Sequence, residues 1–174
     1  RDRVGLRQYT LEEMKAIIGE AHDRDRKVAA HAHGTEGIRY AILAGVDSIE
    51  HATFLDKETA ILARENNVTL AMDIYNTDYT QEHGRKNGVP EANLIKDRET
   101  GDSQRNSFKI AVENNVNLVY ATDSGVYPHG DNAKQFPIMV EYGMTPIQAI
   151  RSATIIAAEL LDSSLKIGQI KPGY

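Results

Sequence analysis

In Val28-Ala29-Ala30-His31-Ala32-His33-Gly34 a short apolar run ends in two histidines and a glycine, and a helical pattern begins directly after it. A parallel strand delivers its C-terminal residues to an active-site mouth in this way. Two later stretches repeat the arrangement: Val46-Asp47-Ser48-Ile49-Glu50-His51, and Asn117-Leu118-Val119-Tyr120-Ala121-Thr122-Asp123-Ser124-Gly125. Three strand ends that offer His, His and Asp point to a metal-centred hydrolase.

Working outward, short apolar segments at 27–32, 46–51, 68–74 and 118–122 read as strands, each separated from the next by at least one helical pattern. Thr10 and Glu13 form a capping box for the first helix, with Leu11, Met14, Ile17, Ile18 and Ala21 at helical spacing. Thr35 is placed to cap the second helix, and Gly45 sits where a left-handed C-terminal residue is wanted. Asp56 caps the third. Residues 75–102 break the rhythm, being polar with Gly84, Gly88, Pro90 and Gly101, and read as a long loop of the functional or mobile kind. Helices follow over 103–114, over 133–142 and from Thr145-Pro146, a capping residue with Pro at the first helical position. Alternating short strands and helices are the mark of parallel βαβ units. Four such units without a dinucleotide glycine fingerprint fit half of an eight-stranded barrel better than a doubly wound sheet.

The 174 residues are 41% hydrophobic and 26% charged, with no apolar run of membrane-spanning length. The net charge of -5 comes without a basic stripe, which argues against nucleic acid as a partner. With no cysteine, disulfides and thiolate sites are excluded, so any transition metal must be held by His and carboxylate. That usage suits a cytoplasmic protein. No signal-peptide pattern stands at Arg1, and both ends look cut from a longer polypeptide.

His31 and His33 are expected on opposite strand faces, so that only one looks into the mouth; the plainer role for either is a hydrogen-bonded core histidine. His51, on the neighbouring strand end about 4.8 Å away, can share a divalent ion with His31. Glu50 is expected to face away. Asp123 can ligate the metal through one oxygen and accept a proton from activated water through the other; the alternative is a carboxylate capping the turn at Ser124-Gly125. His129, on the loop beyond Asp123, can orient substrate or stabilise a developing oxyanion; the plainer role is an exposed loop histidine. Tyr75 and Arg105 are candidate carboxylate binders, whereas His22 and His83 read as structural.

These stretches, with Tyr127-Pro128-His129-Gly130, Gly143-Met144-Thr145-Pro146-Ile147-Gln148-Ala149-Ile150 and Ile167-Gly168-Gln169-Ile170-Lys171-Pro172-Gly173, resemble the amidohydrolase superfamily. The likeness is to its imidazolonepropionase-like and prolidase-like (Xaa-Pro or related dipeptidase) members. It implies an α/β fold forming the C-terminal half, strands 5–8, of a (β/α)8 barrel over residues 1–166. Residues 167–174 would begin the segment leading into a small β-domain. It implies that His31 ends strand 5 and His51 strand 6 as metal ligands, and that Asp123 ends strand 8 as ligand and general base and acid. The cofactor would be one or two divalent ions, zinc foremost. The substrate would be a dipeptide, N-acyl amino acid or cyclic amide cleaved by metal-activated water, with His33, Tyr75 and His129 as candidate substrate-binding residues. The family's strand-1 His-x-His pair and strand-4 Lys are absent, and the resemblance implies that they belong to an N-terminal half-barrel missing from this chain.

A half-barrel leaves open edges, so pairing with that missing half, or with a second copy as a homo-oligomer, is expected. Two other readings stay open: a non-catalytic fragment or paralogue that keeps the scaffold, and a barrel hydrolase acting on phosphate esters.

Overall fold

A computed structural model describes residues 5–162 and 166–174. Four strands, β1 (Ala29–Ala32), β2 (Ser48–His51), β3 (Thr69–Met72) and β4 (Leu118–Tyr120), form one parallel sheet in sequential order. Helices α1 (Leu11–His22), α2 (Thr35–Ala44) and α3 (Lys57–Glu65) precede β1, β2 and β3 in turn. Helices α4 (Asn76–His83) and α5 (Glu91–Glu113) separate β3 from β4, and α6 (Gln135–Glu141), α7 (Pro146–Ser152) and α8 (Ile155–Asp162) follow β4. The expected β/α half-barrel order is therefore the observed one.

The first helix starts as its capping box dictates: Glu13 N donates to Thr10 Oγ1 at 3.2 Å, and Thr10 N donates to Glu13 Oε2 at 2.7 Å. Asp56 caps α3 through Thr59 N at 2.8 Å, Thr145 caps α7, and Gly45 closes α2 at φ +94°. Thr35 does not cap α2. Gly34 takes that position, and the Thr35 hydroxyl donates to Phe54 O at 2.5 Å, joining the β1 exit to the β2 exit.

One face of the sheet meets the helices. Ile49, Leu70 and Met72 pack there with Ile38, Ile42, Phe108 and Met139, all essentially inaccessible to solvent. Each such side chain contributes about 1.5–3 kcal/mol on burial. His22 Nε2 meets Asp47 Oδ2 at 2.9 Å, and Val28 N donates to the same oxygen at 2.7 Å. His22 thus ties α1 to the turn before β2.

Residues 75–102 are not a loop but a helical hairpin. The buried face of α5 is Leu94, Gly101, Gln104, Ser107, Phe108 and Ala111, a helical period in which Gly101 and Gln104 border a polar cavity and Ser107 donates to Thr53 O at 2.8 Å. Helix α4 buries no residue and is held by polar contacts instead: Gln81 Nε2 donates to Asp97 Oδ2 at 2.7 Å, and Arg105 pairs with Asp78. The expected helix over 103–114 is the second half of α5, and that over 133–142 begins as a 3-10 turn (Asn132–Lys134) before α6. Residues 166–174 run as turns without a strand.

Candidate metal centre

Ala30 and Ala32 pack toward the helices, so the period-two alternation of β1 sends Ala29 and His31 to the opposite face. His33 follows His31 by two positions and returns to that same face. Their rings meet edge to face with centroids 4.6 Å apart. The expectation of opposite faces is thereby corrected: neighbours in sequence alternate, whereas next-but-one residues coincide.

On β2 the register pairs His31 with Glu50 and Ala32 with His51. Regular strand geometry would turn Glu50 to the cluster side and His51 toward the helices. His51 instead has φ +71° and Ala52 φ +48°, a left-handed turn that brings the His51 ring 4.5 Å from His31 and 4.8 Å from His33. Asp123 lies just past β4 at φ +48°. Non-glycine residues held there cost about 1–3 kcal/mol each and cluster at functional sites. Glu50 stays beside the histidines, accepts from Ser48 Oγ at 2.9 Å, and its charge is felt at both His31 and His51.

Sequence reasoning missed Asp73, one residue beyond β3 and 6% exposed. Its Oδ1 lies 2.8 Å from His51 Nδ1 and accepts from Gln104 Nε2 at 2.8 Å, and its Oδ2 accepts from Asn76 Nδ2 at 2.5 Å. Asn76 Nδ2 also reaches Asp123 Oδ2 at 3.4 Å. The signal was present, since 69–73 is an apolar run ending in a carboxylate, as 118–123 is. Extending that strand to Ile74 hid it.

Ligand atoms of His31, His33 and His51 lie within 4.8 Å of one another, and so do those of His51, Asp73 and Asp123. Nitrogen and oxygen ligands about 2.0–2.2 Å from one ion lie at most about 4.4 Å apart, so rotamer-scale movement suffices for either group to grip a divalent ion. His31 and Asp123 are joined through His51, which belongs to both. Burial, reinforced by the neighbouring histidines, holds His31 below its ordinary pKa and brings His33 down to about 4, which keeps their lone pairs free. The hydrogen bond to Asp73 raises His51. Three carboxylates beside two imidazoles whose charged forms burial disfavours make the site favourable to a cation.

A cavity of about 630 Å³ opens above the cluster. Its floor is His31, His33, His51, Asp73 and Asp123, and its roof is the α4–α5 hairpin, through Thr77, Thr80, Lys96 and Thr100. His33 Nδ1 also contacts Thr53 Oγ1 at 2.7 Å. Tyr75 is buried outside this lining, edge-on to Tyr127 at 4.9 Å, and His129 is exposed on the loop after Asp123. Arg105 is committed to Asp78 and to Ile74 O at 3.3 Å.

The sequence profile described as "Amidohydrolase family" matches residues 4–174. An ochratoxinase from Aspergillus niger is 31% identical over 176 residues, which take in 99% of this chain and 36% of that protein. Its crystal structure superposes with a TM-score of 0.84 over 99% of this chain and 39% of that one. A Xaa-Pro dipeptidase with bound methionine in its active site is 40% identical, with a TM-score of 0.85 over 95% of this chain and 41% of that one. A prolidase complexed with N-methylphosphonate-L-proline is 28% identical, with a TM-score of 0.89 over 99% of this chain and 42% of that one. The chain thus spans somewhat over a third of the length of the curated relatives it matches.

Proposed function

Because the chain belongs to the amidohydrolase family, we propose that the protein carrying it uses a divalent metal, zinc foremost, to hydrolyse an amide or peptide bond in a dipeptide, N-acyl amino acid or cyclic amide. The observation that carries this reading is the meeting of three imidazoles and two carboxylates at the C-terminal ends of parallel strands, beneath a polar cavity. A divalent ion supplies Lewis-acid polarisation of the amide carbonyl and renders water nucleophilic at neutral pH.

His31 and His51 are the holding ligands. Asp123 is the general base and acid: the carboxylate oxygen not held by Asn76 takes a proton from the attacking water and returns it to the leaving nitrogen. The α4–α5 roof excludes water and positions substrate. Methionine and the proline phosphonate, seen in two similar structures, both carry a free carboxylate, and Lys96 places a cation over the cavity suited to such a group.

Metal content by inductively coupled plasma analysis, with a dipeptide and N-acyl amino acid panel, tests this on the full-length protein. Stoichiometric metal and chelator-sensitive turnover are expected. Turnover of the panel undiminished by complete metal removal would overturn it.

The sheet also supports a partner. Among the described residues β1 has a single neighbour, β2, and an apolar groove of about 590 Å³ runs between β1 and α1 past Ile17, Ile18 and Val28. A preceding strand–helix unit of the same barrel is its occupant. Light scattering on this chain alone should then show association rather than a stable monomer.

A further inference from the structure

We infer that Asp73 is a positioning residue for His51, fixing the imidazole in the tautomer that leaves Nε2 free to ligate, and that the cavity roof sets Asp73 in turn. This rests on the metal-centre reading above. An ionised carboxylate only accepts hydrogen bonds, so the 2.8 Å contact from Asp73 Oδ1 requires the proton on His51 Nδ1. A neutral His51 then carries its lone pair on Nε2. The same oxygen accepts from Gln104 Nε2 and the other accepts from Asn76 Nδ2. Three donors converge on a carboxylate that is 6% exposed. With both oxygens engaged, Asp73 is better occupied as an orienting partner than as a ligand.

The donors come from different places. Asn76 opens α4, and Gln104 lies in the middle of α5 and is itself 8% exposed. Gln104 Nε2 also lies 3.4 Å from His51 O, so one amide touches both the backbone and the side-chain partner of the same histidine. The left-handed backbone that swings His51 into the cluster is therefore braced from the roof. Histidine ligands with a carboxylate on their other ring nitrogen are more basic and fixed in orientation, and removing such a carboxylate costs about 10–100-fold in metal affinity.

Zinc affinity of the full-length protein, measured by chelator competition, tests the assignment. Asp73→Ala should weaken zinc by about 10–100-fold. Asp73→Asn keeps an oxygen for the Nδ1 proton and exchanges a charge-assisted bond for a neutral one, so about a 3- to 10-fold loss is expected. Wild-type affinity in Asp73→Ala overturns the inference, and so does affinity within about twofold of wild type in Asp73→Asn, which stands whether or not the alanine variant folds. A loss in Asp73→Asn beyond about 100-fold marks Asp73 as a direct ligand and also overturns it. Failure of the wild-type protein to bind zinc or any other divalent ion removes the metal-centre reading and this inference together. Metal-binding wild type with unaffected variants removes this inference alone.

Discussion

Thr77 on α4 lies against the bare backbone of Gly101 on α5. A Cβ built on Gly101 would overlap Thr77 Oγ1 and stand 2.8 Å from Thr77 Cβ. The two roof helices cross at this point because residue 101 has no side chain. Gly101→Val should destabilise the protein by about 1–3 kcal/mol through overpacking. It should also raise KM by displacing the roof. Gly19, in the middle of α1, has nothing within 4 Å of the built position. Gly19→Ala should therefore stabilise by up to about 1 kcal/mol. Urea unfolding of both variants measures the contrast, and equal effects would remove the close-approach argument.

Lys96 borders the cavity from the roof and forms no ion pair among the described residues. On the reading proposed above, a substrate carboxylate would supply that missing anion. Lys96→Met should raise KM about tenfold for substrates with a free carboxylate, the worth of one exposed charge-assisted hydrogen bond, with kcat little changed. Substrates amidated at that end should show no difference between variant and wild type. A uniform change across both substrate types would rule out carboxylate recognition by this lysine.

The β/α order was legible because buried parallel strands such as Thr69-Leu70-Ala71-Met72 are short and predominantly apolar, and Gly45, Thr10 and Asp56 punctuate the helices as their chemistry requires. His31, His51 and Asp123 were legible as strand-end residues. The conformation that brings His51 inward was not, because a left-handed histidine leaves no mark in composition. His33 was legible in principle, since residues two apart on a strand share a face. Helix α4 carries no apolar stripe, and α5 hides half of its buried face in Gly101, Gln104 and Ser107. Periodicity of hydrophobic residues finds helices that cover a core; it does not find helices that cover a polar cavity.

Burial holds the His33 pKa at about 4, and His31 is displaced in the same direction. Histidines whose folded pKa lies below the unfolded value near 6.5 favour the folded state above that value. Their contribution is lost as pH falls from about 6.5 toward 4, because the unfolded chain takes up protons that the folded cluster resists. His51, raised by Asp73, acts in the opposite sense and offsets part of this. The metal-free protein should therefore lose thermal stability across that window, and His33→Gln should flatten the dependence. Differential scanning fluorimetry from pH 7 to 4 measures it; a slope unchanged in His33→Gln would show that other groups govern the acid response.

Asp123 is exposed, sits at φ +48°, and has one oxygen 3.4 Å from the Asn76 amide. Asparagine is among the residues that best tolerate the left-handed region, so Asp123→Asn keeps the backbone geometry without added strain. What it removes is a carboxylate able to take a proton and give it back. Loss of a general base typically costs 10²–10⁴-fold, and loss of a metal-binding oxygen compounds this. Turnover by the complete protein should fall by at least about 10³-fold while its unfolding midpoint stays within the spread of surface variants, about 0.5 kcal/mol. Metal analysis separates the two contributions: retained metal with lost turnover assigns Asp123 to proton transfer, and lost metal assigns it to ligation. Near-normal rates in Asp123→Asn would mean that the proton moves through another group, and among the described residues Glu50, paired with His31 across β1 and β2 on the same sheet face, is the next carboxylate to test.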